Sequence, residues 1–251
     1  MMPQLNFERT PVTLLLMVTI AALEVLGMLD NASRTKFYNE GLGILPRIWL
    51  GELWRPFTTT LLHGDLLHAL FNLYWLAIFG ATIEYWLGSP RMGAMVVFLA
   101  FASTLPQFLV SNYIHFFPNA PDLAPILQVK GISPDKGVVG TVGFSGVNYG
   151  FFGLLWVGRR YRSEFYVVCN PSVVQLMVAW FFICIVLTQL NLFPVANVAH
   201  GVGILFGALL GLTIFRRRER WKWGSLLAAA TAIVLAMLVF PPWSWPITRL
   251  G

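Results

Sequence analysis

Seven apolar runs, each free of lysine and arginine, dominate this chain, at about 11–30, 66–88, 92–113, 143–158, 172–190, 196–215 and 224–241. An α-helix needs about 20 such residues to cross hydrocarbon at 1.5 Å of rise per residue. With 57% of 251 residues hydrophobic and only 11% charged, no single soluble core can hide them. Lipid also forbids unpaired backbone groups, which leaves helices as the economical spanning element here. The sequence therefore predicts an all-α polytopic membrane helix bundle of about seven transmembrane helices.

The net charge of +6 suggests nucleic acid only until the basic residues are located. Arg159, Arg160 and Arg162 follow the fourth run, and Arg216, Arg217, Arg218, Arg220 and Lys222 separate the sixth from the seventh. They flank spans and form no soluble patch, so the expected partner is the lipid bilayer and not nucleic acid. The positive-inside rule puts both clusters, and Arg91, in the cytosol. The amino terminus is then cytosolic, with loops 31–60, 114–142 and 191–195 and the carboxyl tail on the other side. The first run lacks a small-residue cleavage site and is expected to be retained. Cys169 and Cys184 suggest neither a disulfide nor a metal cluster.

Loop 31–60, with Phe37, Tyr38, Trp49 and Trp54, has the composition of a segment at a headgroup interface. Loop 114–142, with four prolines and three glycines, argues against continuous helix. The seventh run carries no polar group beyond hydroxyls and is assigned no chemistry.

The fourth run is anomalous. In VGFSGVNYGFFGLLWVGRR, Ser145 precedes Arg159 by 14 residues, roughly 21 Å of helix, and stands among glycines. Polar residues inside spans are functional candidates by default, and four stand out: Ser145, His200, His68 and Asn72. His200 precedes Arg216 by 16 residues and His68 precedes Glu84 by 16, each roughly 24 Å. Counted from these charges, the polar groups of three helices running the same way share a level.

Small residues suggest lateral contact as well. Gly203, Gly207 and Gly211 lie below His200 on one face, and the fourth helix offers Gly146, Gly150 and Gly153. Such stripes let membrane helices approach backbone to backbone. A serine needs a base, and a neutral imidazole is suited to that task. Ser145 and His200 would make a dyad, with no acid at that depth for a third member. Tyr149, one turn below Ser145, could hold the imidazole by packing. His68 and Asn72, at i and i+4, could both donate to an oxyanion, together with the Ser145 amide. Gly143 and Gly146 would let a substrate chain come close. Each feature also has a plain structural reading, in which the glycines only pack helices and the histidines only fill hydrogen bonds.

Of the remaining polar residues, His63 is expected to be structural or to hold water, and His115 to have no role. Glu24 is either a packing contact or part of a substrate path. HExxH and GxGD are absent, and GFSG is neither GxSxG nor preceded by a strand, which disfavours metalloproteases, aspartyl proteases and the soluble hydrolase elbow.

The blocks GFSG at 143–146 with Tyr149, AHGVGILFG at 199–207, HGDLLHALFN at 63–72, ELWRPFTTTLLH at 52–63 and EYWLGSPR at 84–91 resemble those of the rhomboid intramembrane serine proteases, in the same order. The resemblance covers roughly residues 50–215, the core of what is expected to be a single rhomboid-like membrane domain over 1–251 with an additional helix at 224–241. It implies Ser145 as nucleophile, His200 as base, and His68, Asn72 and the Ser145 amide as oxyanion hole, with Tyr149 stacked on His200. It also implies that Trp54 and Arg55 stabilise the first loop and that Gln107 lies near the active site. The expected activity is cleavage of transmembrane segments of other membrane proteins near the extracytosolic face, without cofactor or metal. The expected setting is the inner membrane of a bacterium. Loop 114–142 is longer than in compact bacterial members. The rival readings are a catalytically silent relative that binds membrane clients and a small proton-coupled transporter.

Overall fold

The computed structural model describes residues 8–41, 48, 51–116, 141–190, 192–193 and 195–239. Every apolar run is a helix. We number the helices α1 (Pro11–Leu29), α2 (Asn31–Gly41), α3 (Arg55–Leu61), α4 (Leu66–Leu87), α5 (Ser89–Phe116), α6 (Ser145–Gly158), α7 (Ser163–Val168), α8 (Pro171–Gln189), α9 (Asn197–Phe215) and α10 (Arg220–Val239). By length and apolarity α1, α4, α8, α9 and the Ser89–Val110 part of α5 can cross a membrane. Among the described residues that is five of the expected seven. At 14 residues α6 is too short to span alone, and α10 is not among the five.

Local chemistry explains the helix boundaries. Pro11 opens α1 at a position where its missing N–H is harmless. Asp65 caps α4 by accepting from His68 N at 2.9 Å, and Asn170 caps α8 by accepting from Val173 N at 3.1 Å. Gly88, at φ +80°, closes α4 in a backbone conformation that side chains disfavour, so α5 begins one residue later. Within α4 a π-turn at Leu76–Gly80 brings Gly80 against Thr13, where an ideal Cβ would stand 3.2 Å from Thr13 Oγ1.

Two helices lie where the composition suggested only an interfacial loop. The side chain of Asp30 starts α2 by accepting from Ala32 N at 3.1 Å and Ser33 N at 3.0 Å, and bonding to Ser33, its hydroxyl first, holds the carboxyl below the usual range. Helix α3 is pinned by Arg55, 2% exposed and closely ion-paired with Glu52. Nearly all of loop 114–142 lies outside the described residues, as does the side chain of His115.

The short α6 occupies the middle of the bundle. Only Ser145, Trp156 and Val157 of its residues escape burial. Contacts that ascend both chains together show that α4 and α9 run parallel to it. Ideal Cβ atoms on Gly203 and Gly207 would fall 2.3 Å from Gly146 O and 1.8 Å from Gly150 O, and one on Gly153 would fall 2.4 Å from Ile204 O. The small-residue stripes therefore do meet, backbone on backbone. On the other side Gly150 faces Leu99 and Gly146 faces Ser103 of α5. Helix α8 is peripheral, touching α4 through Phe71 and Trp180 (ring centroids 5.4 Å) and α6 through Tyr149 and Phe181 (6.1 Å).

Glu84 departs from its expected place. Used above as a cytosolic charge from which to count depth, it is instead fully buried. It accepts from Val12 N, Thr13 N and Thr13 Oγ1 at 2.7–2.8 Å, supplying from α4 the cap that α1 lacks. The first-turn N–H groups of a helix are orphaned and partly positive, which is what a carboxylate buried in a bundle requires.

Candidate active site

The segment before α6 is shaped to deliver Ser145. Gly143 has φ +114°, a region glycine alone adopts freely. Its amide donates to Thr59 O at 3.2 Å, the Thr59 hydroxyl donates closely to Thr141 O, and Phe144 N donates to His63 Nε2 at 3.3 Å. Helix α3 and the residues just after it thus clamp the chain immediately ahead of the serine. Residue 144 then enters helical conformation, and Ser145 is the first residue of α6, where helix geometry leaves its N–H without an intrahelical acceptor.

Ser145 is partly exposed, and its Oγ lies 2.7 Å from Nε2 of His200, itself 3% exposed. Nδ1 of His200 has no hydrogen-bond partner among the described residues; the tautomer protonated there is the one whose Nε2 accepts from the hydroxyl. Among the described residues no carboxylate orients the ring. Tyr149 does so by contact, its ring 4.5 Å from that of His200 and tilted 35°, and its hydroxyl donates to Met177 O of α8 at 3.2 Å. Gln107 holds the start of α9 from α5, its Oε1 accepting from Ala199 N at 3.1 Å, the residue before His200.

His68 stands on the other side of the serine. An ideal Cβ on Gly143 would lie 2.7 Å from His68 Nε2 and 3.8 Å from Ser145 Oγ, so the imidazole and the hydroxyl flank this one glycine. Asn72, one turn further along α4 and 1% exposed, donates from Nδ2 to His68 O at 2.9 Å. Gly146 is buried against Ser103 and Ala199, where a Cβ would meet Ser103 Oγ at 2.7 Å. Its smallness serves the α5–α6–α9 junction. Gly143 is filled on its open side by His68 in the same way.

Trp54 and Arg55 lie apart from these groups at the start of α3. Trp54 O accepts from Phe57 N and Thr58 N at 3.0 Å, while its ring is largely exposed. His63 accepts from Phe144 N and meets His68 edge to face, ring centroids 4.9 Å apart, which makes it a strut of the site. Glu24 lines a small cavity of about 10 Å³, room for one water, with Arg34 and His63. Arg34 in turn donates to Gly64 O at 2.6 Å.

Two residues of the site escaped sequence reasoning. Thr59 gives no signal, since it is one of three consecutive threonines and its partners are 82 and 84 positions away. Asn148 does give one: it is an amide inside an apolar run, one turn past Ser145, and the inventory of intramembrane polar groups passes over it.

The bundle and its inward-facing serine and histidine define a class, that of multi-pass membrane proteins with a polar site built between helices. Residues 50–217 match the Rhomboid domain, two-thirds of the chain. The protein belongs to the rhomboid family, a family of membrane-embedded serine proteases.

Proposed function

We propose that this chain is an intramembrane serine endopeptidase that cleaves transmembrane segments of other membrane proteins through a Ser145–His200 dyad. The observation that carries the reading is the 2.7 Å separation of Ser145 Oγ and His200 Nε2 within a buried setting. His200 takes the serine proton as Oγ attacks the scissile carbonyl carbon. The resulting oxyanion is met by the Ser145 amide, His68 and Asn72. Collapse breaks the C–N bond, and His200 returns the proton to the leaving amine. Water, deprotonated by His200, then hydrolyses the acyl-enzyme and regenerates the serine.

Orientation follows from charge. The arginines at the foot of α6 and between α9 and α10 favour a cytosolic foot, hence a cytosolic amino terminus and cleavage near the extracytosolic face. The setting proposed is the inner membrane of a bacterium, and the substrates are single-pass or other membrane proteins whose helices unwind locally to expose a peptide bond.

The test is to incubate purified protein in liposomes with a single-span substrate and, separately, with a fluorophosphonate probe. Wild type cuts and is labelled at Ser145. Ser145→Ala and His200→Ala do neither while keeping their thermal midpoints. A folded wild type that ignores both substrate and probe would instead favour a silent client-binding relative.

A further inference from the structure

Asn148 has no part in the mechanism so far, yet its position is costly. It lies on α6 three residues after Ser145, is 2% exposed, and its Oδ1 has no partner among the described residues. A buried amide is disfavoured in a membrane helix unless its hydrogen bonds are made. A valine would fill the place without an orphaned acceptor.

Its Nδ2, however, makes two bonds to one residue, donating to Asn72 O at 3.0 Å and to Asn72 Oδ1 at 3.1 Å. Backbone carbonyls only accept, so they fix the sense of both amides. Asn72 O requires that the Asn148 atom facing it be the NH2 group. That NH2 group requires that the Asn72 atom facing it be Oδ1. Asn72 Nδ2 is therefore turned the other way, toward His68 O, where one of its hydrogens is used at 2.9 Å. His68 O lies one turn up α4, on the residue whose ring flanks Gly143, and the second hydrogen of Asn72 Nδ2 has no acceptor among the described residues.

We propose that Asn148 is a positioning residue that locks the Asn72 amide so that an N–H, and not an oxygen, faces the oxyanion formed when Ser145 attacks. A reversed amide would set a lone pair against a developing negative charge. The inference rests on the reading of Ser145 as nucleophile and adds a buried amide from the nucleophile's own helix to the set that stabilises the transition state.

The experiment compares full-length wild type, Asn148→Val, Asn148→Ala, Asn72→Ala and the Asn148→Val/Asn72→Ala double variant in detergent. It reads kcat and KM on a single-span substrate, the rate of fluorophosphonate labelling and the thermal midpoint. Asn148→Val is expected to lower kcat and labelling about tenfold with KM unchanged, less than the 100-fold or more typical of deleting an oxyanion donor. In the Asn72→Ala background it should add less than a twofold loss. Should Asn148→Val fail to fold, Asn148→Ala carries the same comparison. A folded Asn148 variant with wild-type kcat, or an equal loss in both backgrounds, overturns the proposal. Wild type that neither cuts nor labels would instead overturn the assignment of Ser145, and this inference with it.

Discussion

Thr13 and Glu84 meet through two hydrogen bonds, the amide and the hydroxyl of Thr13 both donating to Oε2 of Glu84 at 2.7 Å. The contact ties the start of α1 to the far end of α4, the helix that carries His68 and Asn72 at its other end. Replacing Glu84 by leucine removes the acceptor and orphans buried N–H groups. Glu84→Leu should destabilise the bundle by about 2–3 kcal/mol, seen as a lower unfolding midpoint in micelles. Labelling of Ser145 at low temperature should persist, because the site is more than three helical turns away along α4. An unchanged midpoint would mean that the cap contributes nothing.

Gly207 and Gly201 lie on one helix but should respond oppositely to alanine. A Cβ on Gly207 would overlap Gly150 O at 1.8 Å, whereas one on Gly201 would find Phe181 at a comfortable 3.6 Å. Gly207→Ala must part α6 from α9, destabilising by about 1–3 kcal/mol or more. Because Ser145 and His200 sit on those two helices, activity should fall at least 100-fold, the typical effect of a displacement near 1 Å. Gly201→Ala should stay within a few-fold of wild type in the same assay.

Gly143→Ala meets two obstacles at once, a φ of +114° and the imidazole of His68 at 2.7 Å. The backbone strain alone is about 1–2 kcal/mol. His68 must also move. Loss of kcat should therefore exceed what the drop in midpoint accounts for, and residual activity should no longer depend on His68→Ala. Additive losses in the double variant would argue that Gly143 and His68 act separately.

Cys169 lies between α7 and α8, fully buried, and burial pushes its thiol up to about 12 against the pull of Arg159. The thiolate is the reactive form, so at pH 8 almost none is present in the folded protein. Iodoacetamide should leave Cys169 unmodified until denaturant is added, when the thiol regains its ordinary value and reacts. Modification of the native protein at pH 8, read by peptide mass, would contradict the burial.

The helices of the bundle were legible because seven runs of apolar residues leave a chain few alternatives, although only five of these helices are long and apolar enough to span among the described residues. The seam of α6 and α9 was legible because glycines at helical spacing mark one face. Ser145 and His200 stood out as polar residues inside apolar runs at similar depth, and Tyr149 as the residue one turn below the serine; the structure brings the three side chains together. Counting depth from Glu84 rested on an ordinary rule, that charges near span ends face water, and the rule gave way because orphaned N–H groups of α1 supply a better partner. Thr59 acts through its carbonyl and its hydroxyl on residues distant in sequence, which no local pattern encodes. Helices α2 and α3 were likewise hidden, since α2 is mostly polar and α3 has only seven residues. Asn148 was readable as an oddity, but its meaning needed the position of Asn72 on another helix.

Where Gly203 and Gly207 press on the carbonyls of α6, there are no side chains left to trade. An ordinary core drifts over generations by swapping one bulky group for another nearby, but this keel has nothing to swap. Variation in side-chain size is left to the rim of the molecule, above all to α8, most of whose surface is unencumbered.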